Sequence, residues 1–156
     1  MISVIVAVRN QLPMNRLFVQ FLKRYTHNTF ELIVVDNDSD DGTAEFFAQS
    51  GATVVNSGGN YSYPVCQNIG IRAAKFDWLA FLNNDLLVGP QWDERMLEAM
   101  DAKQSTIVSA TAPENMGSKL LTRWHYNKWK LIKRFYLRKI VSEESLLKAH
   151  RCMFPH

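Results

Sequence analysis

Short apolar runs alternate with longer amphipathic stretches along the first hundred residues. "ISVIVAV" (2–8) is β-branched and apolar almost throughout, as expected of a strand buried on both faces. From Leu12 to Tyr25, the side chains Leu17, Phe21, Leu22 and Tyr25 recur at helical spacing. "FELIVVD" (30–36) reads as a second buried strand. Its helix is expected near Asp41-Gly42-Thr43, where a short polar side chain can cap free amides. "ATVVN" (52–56) is a shorter third strand. Tyr61-Ser62-Tyr63-Pro64 marks a helix entrance, since proline suits the first helical position. That helix should run to about Lys75, with Val65, Ile69 and Ala73 on one stripe. "WLAFL" (78–82) predicts a fourth buried strand. Pro90 opens a helix to about Met100, and "STIVSATA" (105–112) is the candidate fifth strand.

Strand and helix in strict alternation predict βαβ units: an α/β fold with a mostly parallel, Rossmann-like sheet and helices on both faces. Right-handed crossovers bring the carboxyl ends of all strands to one edge, where ligands of such sheets bind. The polar residues there are Arg9-Asn10, the run Asp36 to Asp41, Asn56 to Asn60, and Asn83-Asn84-Asp85. Asp36, Asp38, Asp40 and Asp41 crowd four carboxylates into six residues, a costly concentration unless cations or donors compensate it. Asp38, Asp40 and Asp41 suit a capping and loop-solvating role. Asp36 and Asp85 directly follow apolar runs and are the candidates for ligand binding. Asp85 between asparagines offers hard oxygens, which suit Mg²⁺ or Mn²⁺ completed by substrate phosphates.

Composition agrees with a globular domain, at 47% hydrophobic and 21% charged residues. No apolar run reaches the ~18–20 residues of a membrane span, and "MISVIVAVRN" does not resemble a signal peptide. A cytoplasmic protein is therefore expected. Cys66 and Cys152 are too few and too far apart for a metal cluster, and read as ordinary thiols. Neither G-x-G-x-x-G nor G-x-x-x-x-G-K-[ST] occurs, which removes the main support for dinucleotide and P-loop readings. The four histidines, His27, His125, His150 and His156, all lie away from the strand ends and read as surface residues.

Four of these segments together resemble the family-2 glycosyltransferases of the GT-A fold. "ISVIVAVRN" resembles that family's opening strand, and "FELIVVDNDSDDGT" its "FEIIVVDNGSTDGT" segment. "NYSYPVCQNIGIRAA" is similar to its "NLGFAAARNRGIRAA" helix, and "WLAFLNNDLLVGPQW" to the stretch holding its Asp-x-Asp motif. The resemblance implies a nucleotide-diphospho-sugar donor (UDP-, dTDP- or GDP-linked), a divalent ion, and a saccharide or lipid-linked acceptor. It places Ala7 and Arg9 beside the base, Asp36 and Asn37 on base or ribose, and Gln67, Asn83 and Asn84 near the nucleotide. Asp85 becomes the metal ligand. Asn83 departs from the motif's first Asp, Arg9 stands where an aromatic often stacks, and Gln67 where an arginine is usual. Nothing after residue 105 matches the family's acceptor-side "ED" motif, so no catalytic base is identifiable. Residues 1–112 are thus expected to be the nucleotide-sugar-binding half, and 113–156 a helical tail or the start of an acceptor-binding half.

Charge separates the same two parts. Residues 1–118 carry 8 Lys/Arg against 13 Asp/Glu, whereas residues 119–156 carry 10 against 2. Across 119–140 a helix would gather apolar side chains such as Trp124, Trp129, Leu131 and Phe135 on one broad arc, with basic ones opposite. Such a helix packs on the domain or lies on an anionic membrane surface, a peripheral contact at the inner face. No recognition motif accompanies the charge, so no nucleic acid is expected. The function expected is metal-dependent, inverting transfer of a sugar from the activated donor. The alternatives are a binding or membrane-docking module without turnover, and a sugar-phosphate nucleotidyltransferase. The last usually needs a glycine-rich basic loop after the first strand, and Gln11-Leu12-Pro13 supplies none.

Overall fold

Four strands form one parallel sheet in the computed structural model, which describes residues 1–110. In chain order the elements are β1 (Ile2–Val8), α1 (Leu12–Tyr25), β2 (Phe30–Asp36), α2 (Thr43–Gln49), β3 (Thr53–Asn56), α3 (Tyr63–Ala73), β4 (Trp78–Phe81) and α4 (Trp92–Lys103). All of them belong to the compact unit Met1–Lys103.

The strand order is β3-β2-β1-β4. The chain steps outward from β1 to β2 to β3, then returns past both to place β4 on the free side of β1. The winding therefore reverses between β1 and β4, the position at which open α/β sheets take their ligands. Register brings the carboxyl ends of β1, β2 and β3 level, with Val8 opposite Asp36 and Asp36 opposite Asn56, whereas β4 stops lower, its last residue Phe81 lying opposite Ile5.

The two central strands are apolar on both faces because both faces are covered. Val4, Ile5, Val6, Ile33, Val34 and Val35 are fully buried, with Phe18 and Leu22 of α1 and Phe47 of α2 completing the core. α1 and α2 pack on each other, and α3 packs on β1 and β2. Gly70 sets how closely α3 approaches, since a Cβ there would stand 2.3 Å from Ile5 Cγ2 and 3.4 Å from Val35 Cγ2.

The end of the sheet away from the ligand edge is held by three acids, of which Asp93 is buried. Asp93, at the start of α4, accepts hydrogen bonds from His27 N (3.1 Å), Asn28 N (2.7 Å) and Asn28 Nδ2 (2.8 Å). Trp92 Nε1 donates to Thr26 Oγ1 at 3.0 Å, and His27 Nδ1 faces Glu94 Oε2 at 3.2 Å. On the neighbouring strand, Ser3 Oγ donates to Glu31 Oε1 at 2.7 Å and accepts from Phe76 N at 3.1 Å.

Several expectations shift. Residues 105–110 form no strand, and 111–112 lie outside the described residues. A β-branched run is a strand only where a neighbour accepts its ladder, and no such pairing forms for this one. β4 is a strand, but not a buried one: Trp78 is 45% exposed and Phe81 47%. Among the described residues it pairs with β1 alone, so an apolar composition that suggested a central strand stands at the end of the described strand order. α3 ends at Ala73 rather than near Lys75. α4 begins at Trp92, two residues after Pro90, and reaches Lys103. The tail helix at 119–140 lies outside the described residues.

Candidate functional site

The loops after β1 and β2 interlock at the ligand edge. Asn10 and Gln11 both take left-handed backbone angles, with φ of 57° and 68°. This sharp turn lets Asn10 N donate to Ser39 Oγ (2.8 Å) while Asn10 Oδ1 accepts from Asp40 N (2.8 Å). Asp41 joins the same lattice: one carboxylate oxygen accepts from Leu12 N at the start of α1 (2.9 Å), the other from Thr43 N at the start of α2 (3.1 Å). These bonds, the Thr43 hydroxyl's foremost, hold its carboxyl below the usual carboxylate range. Asp41 thus caps two helices at once, which is what its short side chain suggested.

Asp36 is different. Only 3% exposed at the end of a central strand, it keeps Oδ1 without a hydrogen-bond partner among the described residues. A buried, unpartnered carboxylate oxygen is costly and needs a reason. Gln67 repeats the pattern on α3, where it is 8% exposed and neither Oε1 nor Nε2 is partnered. It lies one helical turn before Gly70, on the side of α3 turned to the sheet. Ala7, two residues beyond Ile5, belongs to that same sheet face and is half-buried. Arg9 is exposed and makes no hydrogen bond or ion pair among the described residues.

Asn37 is fully engaged within the protein. Its Nδ2 donates to Asn60 Oδ1 (3.1 Å) and Tyr61 O (2.9 Å), and its Oδ1 accepts from Tyr61 N (2.8 Å) and Ser57 Oγ (3.2 Å). It ties the loop after β3 to the end of β2. Asn83, Asn84 and Asp85 follow β4 in a tight turn closed by Leu86 N donating to Asn83 O at 3.1 Å. Asn83 and Asp85 are exposed. Asp85 has no hydrogen bond or ion pair among the described residues, whereas Asn84 Nδ2 donates to Asn15 Oδ1 at 2.8 Å.

Asn15 is the residue that sequence reasoning missed. It occupies the buried stripe of α1 with Phe18, Val19 and Leu22, and none of its surface is exposed. Both amide hydrogens are used, on Asn10 O (2.9 Å) and Thr43 Oγ1 (3.0 Å). A polar residue at a stripe position of an amphipathic helix was the available signal.

Among the described residues no three His, Cys, Asp or Glu side chains gather as a metal group. Asp85 alone is consistent with Mg²⁺ or Mn²⁺ all the same, because these ions are commonly held by one or two carboxylates, with substrate phosphates and water completing the shell. The exposed Asn83 amide beside it adds a neutral oxygen.

A parallel sheet that reverses its winding beside acidic strand ends defines a Rossmann-like α/β domain, a fold that takes its ligands at the switch point. The sequence profile of glycosyl transferase family 2 matches residues 3–155, and the chain belongs to that family. A protein of Haemophilus influenzae described as an uncharacterized glycosyltransferase is 29% identical over 102 residues, covering 65% of this chain and 35% of its own length. The crystal structure of S. aureus TarS superimposes with a TM-score of 0.61 at 18% identity, over 75% of this chain and 24% of that one. Glucosyl-3-phosphoglycerate synthase from Mycobacterium tuberculosis gives 0.53 at 21% identity, over 64% of this chain and 39% of that one. It was solved with Mn²⁺, uridine diphosphate and glucosyl-3-phosphoglycerate. These structural likenesses establish the GT-A fold. The chain spans about a third of the length of the Haemophilus relative. Among the described residues no helix is long and apolar enough to cross a membrane.

Proposed function

We propose that this chain is the donor-binding part of a glycosyltransferase that takes its sugar from a nucleoside-diphospho-sugar. The observation that carries the reading is Asp36: a buried strand-end carboxylate whose Oδ1 has no hydrogen-bond partner among the described residues. An N–H of a nucleobase or a ribose hydroxyl supplies what it lacks. Gln67, equally buried and unpartnered, lies at the same edge and offers a donor and an acceptor. Arg9 is free to stack its guanidinium plane on a base, and Ala7 leaves room beside it.

Asp85 holds Mg²⁺ or Mn²⁺, with Asn83 beside it. When bound, the ion neutralises charge on the departing diphosphate. Asn37 and Asn84, whose amides are engaged within the protein, serve the site by fixing its loops. Family membership and a fold neighbour solved with Mn²⁺ and uridine diphosphate support the same class of donor and ion. Inverting transfer would need a base on the acceptor side, and the described residues contribute none at this edge. The acceptor is a saccharide or a lipid-linked one, and the basic 119–140 segment is the candidate for contact with an anionic membrane surface.

Melting curves test the reading. Mn²⁺ with UDP, dTDP or GDP at about 100 times the dissociation constant should stabilise the protein by about 2.7 kcal/mol. Asp85→Asn should remove the metal-dependent part of that gain and leave the free protein as stable or slightly more so, since one charge leaves an acidic edge. A melting point that no nucleotide moves, with or without metal, rules the donor site out.

A further inference from the structure

The turn after β4 carries Asp85 between the buried Leu82 and Val88, and few polar bonds hold it. Leu86 N to Asn83 O closes the turn on itself. Among the described residues, the hydrogen bond from Asn84 Nδ2 to Asn15 Oδ1 is the one that leaves the segment 83–90 for another part of the fold. Its acceptor is not an ordinary surface group. Asn15 is wholly buried in α1, and its amide hydrogens are already committed to Asn10 O and Thr43 Oγ1. That leaves Oδ1 as an acceptor whose position is set by two other bonds.

Burying an amide on the apolar stripe of a helix is unfavourable unless its hydrogen bonds are made, and leucine would suit both the stripe and the helix better. Closing the turn before α1 explains the bond donated to Asn10 O, and joining α1 to α2 the one donated to Thr43 Oγ1. Neither explains the accepted one, whose partner lies 69 residues away in the loop after β4. Asn15 is also the point at which three strand-end loops meet: it touches Asn10 after β1, Thr43 at the end of the loop after β2, and Asn84 after β4.

We propose that Asn15 is a positioning residue of the donor site: through Asn84 it fixes the turn bearing Asp85 against the loops that follow β1 and β2. The inference rests on the reading of Asp85 as a metal ligand. A ligand held before the ion arrives loses less freedom on binding, so the bond contributes to metal affinity without touching metal or donor. Asn84 acts as the link rather than as a donor contact.

Titration of free Mn²⁺ by electron paramagnetic resonance, at saturating UDP, reads this directly. Asn84→Ala severs the link and leaves the buried bonds of Asn15 intact. It should weaken Mn²⁺ binding about fivefold, the size of one net hydrogen bond, with UDP affinity in the absence of metal unchanged. Asn15→Leu should match it, and the double variant should be no weaker than either single one. Thr43→Val, which removes one of the two bonds that set Asn15 Oδ1, should lower the melting point and weaken Mn²⁺ binding by less than Asn84→Ala does. Wild-type Mn²⁺ affinity in Asn84→Ala overturns the positioning role. So do additive losses in the pair, or weaker metal-free UDP binding, which would mark Asn84 as a donor contact. If Asp85→Asn binds Mn²⁺ like the wild type, the donor-site reading falls and this inference with it. If Asp85→Asn is inactive in binding while Asn84→Ala is normal, only the positioning role falls.

Discussion

A Cβ on Gly70 would meet Ile5 Cγ2 at 2.3 Å, and Ile5 is a fully buried residue of the central strand, with no room to retreat. Gly70→Ala should therefore destabilise the protein by roughly 1–3 kcal/mol, the usual cost of overpacking, even though alanine is the better helix former. Urea denaturation checks it. Ile5→Ala removes the clashing methyl, so the double variant should lose less than the two single losses together. The residue scale is also where sequence was least informative. The family resemblance placed the half-buried Asn37 and Asn84 near the donor, and what it did not give was the partners they hold inside the protein. Their partners, Tyr61 and Asn15, are set by how loops fold over one another, and nothing local in the sequence names them. Asp36 could be singled out as a candidate from sequence alone, since a carboxylate directly after an apolar run has no evident local use.

Among the elements, β1 and β2 could be read directly, since an apolar run without alternation has to be covered on both faces. β4 shows the limit of that rule. Trp78 to Phe81 have the same composition, yet they stand exposed at the end of the described strand order, because hydropathy reports what a strand would bury and not which neighbours it finds. The start of α4 was misplaced for a related reason. Pro90 predicted a helix, but Asp93 fixes where it begins by capturing the amides of His27 and Asn28 from across the fold. Burial pushes the Asp93 carboxyl up, and the Asn28 amide and side-chain bonds more than offset this, so it titrates below the usual carboxylate range. A folded-state value below the unfolded one means stability that is complete above the unfolded value and lost as pH falls through the folded one. Asp41, shifted in the same direction, adds to the same trend. Asp93→Ala should destabilise by about 3 kcal/mol near neutrality, since it strands two backbone amides. Its stability should also fall less steeply than the wild type's as acid is added, which melts across the acidic range would show.

At the scale of the whole molecule, the sheet is assembled from pairings of very different reach. Ile2 meets Phe30 on one side and Trp78 on the other, so the central strand is completed by a partner far along the chain. Closing so long a loop is slow, because its entropy is lost before the contacts it permits are gained. During synthesis β1 emerges before the other three strands and acquires its first neighbour as soon as β2 follows. Its other edge stays open until α2, β3 and α3 have all been made. For that interval "ISVIVAV" is an unpaired, β-branched, uncharged edge, the kind of segment that joins another chain's strand. Nascent chains arrested between β3 and β4 should be cut readily in β1 by protease and held by chaperones. Chains released with β4 complete should resist. The winding reversal that creates the ligand crevice also makes the newborn protein depend on its ribosome keeping pace.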